Sequence, residues 1–279
     1  MLTVAFDGTD YAGWQIQPNK DTIEGVLNRE LSRLLNEDIK VIGASRTDSG
    51  VHALGAVCVF DTESKIPGDK FSYAINQTLP TDIRVRKSQE VDITFHPRKV
   101  NSRKTYRYRI RHDEFINPLD ARYSHHVYTK LDIDAMMKAC EYIKGKHDFK
   151  AFCSAHAEVE STERTVYDVH IEVTPDKKLL QMSGLLKSKG DVNLEDSGSS
   201  SQYGVVDPRK TPGLIDIYVT GNGFLYNMVR IIAGTLIDVG QGKLAPEDIP
   251  VILESCDREK AGPTAVAKGL TLMGYKIIG

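Results

Sequence analysis

The chain has 279 residues, 41% of them hydrophobic and 27% charged, with a formal net charge of -2. Those values exclude a disordered, fibrous or uniformly basic protein, and a chain of this length buries about three quarters of its unfolded surface without covalent staples. The cysteines at 58, 140, 153 and 256 are scattered, with no Cys-x-x-Cys pair, and no apolar run approaches a membrane span; reduced thiols in a cytoplasmic protein with no leader, membrane segment or zinc are expected.

Residues 2–6 alternate and are rich in strand formers, stopping at Asp7-Gly8. Asp21 and Glu24 fit a capping box, and Ile23, Val26, Leu27, Leu31, Leu34 and Leu35 follow at helical spacing. Strands are expected over 41–44 and 56–60. Phe71, Ala74, Ile75 and Leu79 mark a helix ended by Pro80, and 83–85 a further strand. The first half therefore reads β-α-β-β-α-β, a ferredoxin-like arrangement.

The second half reads similarly. A strand over 105–111 is followed by a helix lined by Ile133, Met136, Met137, Cys140 and Ile143. Strands over 165–174 and 214–220, helices over 224–239 and 246–253, and a last strand over 270–277 complete it. The fold class expected is α+β: two halves, 1–100 and 101–279, whose mostly antiparallel sheets join edge to edge. Residues 184–204 are polar and Gly/Ser-rich, too poor in apolar surface to offset their ordering entropy, and read as an exposed surface insertion.

Three features carry candidate chemistry. The loop 43–52, Gly-Ala-Ser-Arg-Thr-Asp-Ser-Gly-Val-His, joins two apolar runs and holds Asp48 in its middle with Arg46 two residues before it. Read from its residues alone, it is either a display site for a reactive carboxylate or a turn in which Asp48 caps backbone N–H groups. Arg98, Lys99, Arg103, Lys104, Arg107, Arg109 and Arg111 crowd one segment without an acidic residue, and on a strand Tyr106, Tyr108 and Ile110 take one face while Arg107, Arg109 and Arg111 take the other. That pattern suits phosphates and a stacked base, or equally a solvated edge strand blunted by charge. Arg230 lies in an apolar helix, where a charge needs a partner or a route to solvent.

Further motifs stand in order along the chain: Phe6-Asp7-Gly8-Thr9, Tyr11-Ala12-Gly13-Trp14-Gln15, Phe95-His96-Pro97-Arg98 and Lys104-Thr105-Tyr106-Arg107-Tyr108. Asp148-Phe149-Lys150-Ala151-Phe152, Phe224-Leu225-Tyr226-Asn227-Met228-Val229-Arg230, Gly262-Pro263-Thr264-Ala265 and Gly269-Leu270 complete the series. Together with the 43–52 loop they resemble the TruA-type tRNA pseudouridine synthases. The resemblance implies the pseudouridine synthase fold, with helices on one side of a continuous sheet and an RNA-binding cleft. It implies a homodimeric, cofactor-free isomerase acting on uridines 38, 39 and 40 in the anticodon stem-loop of tRNA. Asp48 would be its nucleophile, Arg230 the partner that keeps Asp48 ionised, and Tyr106 the ring that stacks on the target base. Arg46 would hold the flipped nucleotide or fill its gap, Leu270 would line the pocket, and Arg164 would contact phosphate, as Arg107 of the basic strand would by its own charge. The 184–204 stretch departs from the family pattern.

Two other classes remain open at this level. One is a non-catalytic RNA-binding protein with the same basic strand, against which the intact Asp48, Tyr106 and Arg230 set counts. The other is a metal-dependent hydrolase built on Asp48, His52 and His96; the histidines lack ligand spacing, and hydrogen-bonding or RNA-contact roles are expected for them.

Overall fold

The computed structural model describes residues 1–154, 160–176 and 203–278. It is a mixed α+β fold with mostly antiparallel strand pairing and, among the described residues, five α-helices. In chain order come β1 (Leu2–Phe6), α1 (Ile23–Leu35), β2 (Ile42–Gly43), β3 (His52–Val59), α2 (Phe71–Ile75), β4 (Ile83–Ser88) and β5 (Ser102–His112). They are followed by β6 (His125–Val127), β7 (Leu131–Asp132), α3 (Ile133–Ile143), β8 (Gly145–Asp148), β9 (Glu163–Pro175), β10 (Val205–Val206) and β11 (Gly213–Gly221). The chain closes with α4 (Met228–Gly240), α5 (Asp248–Ser255) and β12 (Leu270–Ile277). The fold divides into two compact units, Met1–Arg107 with Leu270–Gly279, and Tyr108–Gly269.

In the first unit β1 lies between β3 and β4, both antiparallel to it, with Val4 opposite Ala56 on one side and Val85 on the other. Leu2, Val4 and Phe6 are buried while Thr3 and Ala5 are not, the period-2 pattern of a strand with one face in the core. α1 is capped by Thr22, whose hydroxyl accepts from the Gly25 N–H at 3.2 Å; the expected cap, Asp21, is one residue too early. Such a cap stabilises by about 1 kcal/mol. Glu24 turns outward to accept from the Ile16 N–H at 3.0 Å, so no capping box forms. β2 is shorter than expected and β3 begins earlier. One edge of β3 is shared: β2 pairs at Cys58 and Val59, and β12 pairs in parallel at His52 and Ala53.

In the second unit β9 and β11 form a long antiparallel ladder, with Ile171 opposite Ile217 and Val169 opposite Val219. The Asp132 carboxylate caps α3 by accepting from the Ala135 N–H at 2.9 Å, and α3 packs against both α4 and β9. α4 is buried almost all round, as a helix in the middle of a unit must be. It starts at Met228 rather than 224, because Asn227 takes a left-handed conformation (φ 61°) that ends the preceding turn. Of the 184–204 insertion, residues 184–202 lie outside the described residues; the Tyr203 and Gly204 N–H groups donate to the Asp134 carboxylate at 2.8 and 2.9 Å. The four cysteines are free thiols. Burial pushes Cys58 and Cys140 up to about 12, which leaves them unreactive at neutral pH. Among the described residues no helix is long and apolar enough to cross a membrane.

Candidate active site

The 43–52 loop rests on residues 8–14, and the fit depends on glycine. A Cβ on Gly8 would stand 2.0 Å from the Val51 carbonyl oxygen. At Gly13, with φ +91°, it would stand 2.5 Å from that of Thr47. The approach is used for hydrogen bonding: the Trp14 N–H donates to Thr47 O at 3.0 Å, and the Gly50 N–H to Tyr11 O at 3.3 Å. Ser49 adds its hydroxyl to the same Tyr11 carbonyl at 3.2 Å. Behind this segment the first N–H groups of α1, on Ile23 and Glu24, donate to Gly13 O and Trp14 O at 3.1 and 3.0 Å, which satisfies helix-end donors that would otherwise need water. The Asp48 loop is thus fastened through residues 11–14 to the start of a helix. A Val51 N–H bond to Asp48 O at 3.1 Å closes the turn on itself.

Within the loop Thr47 is buried, Asp48 is half-buried and Arg46 is exposed. Tyr106, on β5, is 7% exposed. Its phenol is raised above the ordinary tyrosine range by burial and, next, by the Asp48 charge, with a Ser45 hydrogen bond opposing. The resemblance placed Asp48 and Tyr106 in one site, and the first unit brings them within electrostatic reach. Leu270, buried at the head of β12, lies beside the loop's exit, since Thr271 is in register with His52.

His52 Nδ1 lies 3.1 Å from the Gly8 N–H nitrogen, a fixed donor, so it acts as acceptor there, with Asp7 Oδ1 also at 3.1 Å. His96 Nδ1 likewise accepts, from the Arg98 N–H at 3.2 Å. His96 thus takes a local backbone role, and His52 joins its strand to the Asp7-Gly8 turn.

The basic strand divides. Tyr106, Tyr108 and Ile110 are buried as the alternation requires, and Arg107 is half-buried. Arg109 is committed to a fork-to-fork pair with the buried Asp216 (Nε to Oδ1 2.8 Å, Nη2 to Oδ2 2.6 Å). Arg111 is itself buried and meets Asp113, Asp120 and Asp176 at 3.0, 3.2 and 3.0 Å. Neither of the two alternatives left open for the basic strand, phosphate contact or a solvated edge, describes Arg109 and Arg111, which are paired with carboxylates of the second unit.

Arg230 and Arg164 lie in the second unit. Arg230, in the first turn of α4, donates through Nε to Ala265 O and through Nη1 to Asn227 Oδ1, both at 2.8 Å. Asn227 Nδ2 in turn donates to Ser154 Oγ at 2.9 Å. Arg230 is therefore aimed by groups from three separate stretches of the chain. Arg164, near the start of β9, donates to Ser161 O and Glu163 O at 2.8 and 2.7 Å. Sequence reasoning gave no role to Tyr11, Trp14, Asn227 or Ala265, although each sits in a motif it had singled out.

The site is thus a mixed α+β fold with one carboxylate clamped on an irregular loop, within electrostatic reach of a buried aromatic ring. The sequence profile of tRNA pseudouridine synthase matches residues 2–98 and 139–276. Three proteins called tRNA pseudouridine synthase A are similar over almost the whole chain. The one from Ruminiclostridium cellulolyticum is 45% identical over 98% of this chain and 96% of its own. Those from Brevibacillus brevis and Caldicellulosiruptor saccharolyticus are 43% and 40% identical, over 96% and 98% of this chain and 95% and 97% of theirs. The chain belongs to the tRNA pseudouridine synthase family, as its motifs led us to expect, and its fold is that of the pseudouridine synthases.

Proposed function

We propose that this protein isomerises uridine to pseudouridine at positions 38, 39 and 40 in the anticodon stem-loop of tRNA, with Asp48 as nucleophile. The observation that carries the reading is Asp48 on a clamped loop within electrostatic reach of the buried Tyr106. The reaction breaks the C1′–N1 bond and forms C1′–C5; the C5 proton is lost and N1 gains one. No electrons are exchanged and no group leaves, so the chemistry asks for no cofactor or metal. Asp48 attacks C1′ of the sugar or C6 of the ring, and either route forms and then releases one covalent bond.

Arg230 is read as the cation that keeps Asp48 ionised. Tyr106 supplies the flat face on which the flipped uracil stacks. Leu270 walls the pocket, Arg46 holds the flipped nucleotide or fills its place, and Arg107 and Arg164 meet phosphate. A cytoplasmic homodimer, with one tRNA lying across both subunits, completes the reading.

The test is to map pseudouridine in unmodified tRNA transcripts after incubation with the purified protein. Conversion at 38–40, unaffected by chelator, is expected. Binding without conversion would favour a non-catalytic RNA-binding protein, and activity abolished by chelator would favour a metal-dependent enzyme.

A further inference from the structure

We infer that Lys104 and Arg98 are positioning residues that set the separation between Asp48 and Tyr106; the inference rests on the reading of Asp48 as nucleophile. The loop's second half is held by main chain, through Tyr11, Trp14 and the close approach at Gly8 and Gly13. Its first half has a different support. Among the described residues β2 is two residues long and pairs with β3, the last ladder-like bond being the Ala44 N–H to Val57 O at 2.8 Å. Two cationic side chains supply further donors to the carbonyls where β2 gives way to the loop. Arg98 Nε donates to Gly43 O at 2.8 Å, and Lys104 Nζ donates to Ala44 O at 3.2 Å. Charged donors make such bonds roughly twice as strong as neutral ones.

The placement of Lys104 gives this support its chemical meaning. Lys104 and Tyr106 are two residues apart on β5, so their side chains leave the same face of the strand. One holds the Ala44 carbonyl in the loop's first half; the other is the ring within electrostatic reach of the loop's carboxylate. A shift of β5 relative to the loop would move the ring from the nucleophile, and Lys104 ties the two. It is braced in turn: its ammonium lies 5.8 Å from the centre of the Tyr275 ring, and the Tyr275 hydroxyl donates to Pro97 O, next to Arg98. A misplacement of about 1 Å in an attack geometry lowers a rate by roughly 100-fold.

The experiment compares wild type with Lys104→Met, Lys104→Arg and Arg98→Gln, all full-length. It reads the single-turnover rate at saturating tRNA, tRNA affinity with its salt dependence, and the thermal midpoint. Lys104→Met is expected to lower the rate by about 10- to 100-fold, with affinity and salt slope unchanged, and Lys104→Arg to recover most of the loss. Arg98→Gln, which keeps an N–H donor but no charge, should lose less and provides the same reading if Lys104→Met does not fold. Weakened binding with a shallower salt slope and an unchanged rate would overturn the inference in favour of a phosphate-binding role. A rate that falls only with the thermal midpoint, without rescue by arginine, would reduce both residues to general stability. Full turnover in Asp48→Asn would instead remove the nucleophile reading on which this one stands.

Discussion

Tyr11 joins the Asp48 loop to the turn before β4 by using both of its ends: its hydroxyl donates to Asp82 Oδ1 at 2.9 Å, while its carbonyl takes the Gly50 N–H and Ser49 hydroxyl bonds. Burial, and then the Asp82 hydrogen bond, raise its phenol above the ordinary range. The two ends can be separated experimentally. Tyr11→Phe removes only the hydroxyl, a donor to a charged acceptor worth about 1.5–3 kcal/mol when well buried; Asp82 is half-exposed, so the low end is expected. Urea unfolding should show that loss while single-turnover activity stays near wild type, because the carbonyl still holds the loop. Lost activity at unchanged stability would mean that the hydroxyl, not the carbonyl, positions Asp48.

Arg107 and Arg109, neighbours on one strand face, should behave in opposite ways. Arg109→Ala leaves the Asp216 carboxylate, 8% exposed, without its fork, and breaking such a pair costs about 3–5 kcal/mol. Arg109→Ala/Asp216→Ala should recover most of the lost stability, and neither variant should alter the salt slope of tRNA binding. Arg107→Ala should flatten the slope by about 0.7–0.9 log units for each phosphate that is no longer neutralised. Equal slope changes in both variants would mean that Arg109 abandons Asp216 for RNA.

Tyr106 and Tyr108, like Tyr11, are raised first by burial. The folded chain keeps their protons past about pH 10, where an unfolded chain releases them. The unfolded state then binds fewer protons, so these groups add no pH dependence below about 10, and stability falls as pH climbs above it. Thermal midpoints from pH 7 to 11 should stay level as far as the tyrosines contribute, then drop, with a shallower drop in Tyr106→Phe. Parallel curves for the two proteins would show that Tyr106 ionises in the folded state as freely as in the unfolded one.

Much of this architecture was legible because it is periodic. The apolar spacing of α1 and the alternation of β1 leave few alternatives, and Asp48 stood out as the acid amid Gly and Ser. What escaped depends on local geometry or distant partners. Thr22 and Asp21 are both good caps, and only the position of the Gly25 N–H selects Thr22. Phe224 and Leu225 extend the apolar pattern of α4 backwards, whereas the left-handed turn at Asn227 leaves no periodic trace. Period 2 assigns Arg109 and Arg111 to one face but cannot foresee Asp216 or Asp176 arriving there. The parallel pairing of β12 with β3 is equally invisible, since the whole second unit intervenes between them in the chain.

Asp48→Asn tests the nucleophile against the turn-cap reading that the loop's residues also allow. Asparagine has nearly the shape of aspartate and caps backbone N–H groups about as well, so a purely structural Asp48 would tolerate the change. A nucleophile would not, because the amide carries no charge and attacks carbon far more weakly. The variant should fold normally, since Tyr11, Trp14 and Gly13 hold the loop through main chain that the substitution leaves in place. It should bind tRNA at least as tightly as wild type, as removing a negative charge among phosphates cannot weaken their attraction, while pseudouridine formation falls below detection. Asp48→Glu should fail as well, because one extra methylene displaces the carboxylate from its line of attack. Near-wild-type turnover in Asp48→Asn would sink the catalytic assignment and leave the turn as the only role of this residue.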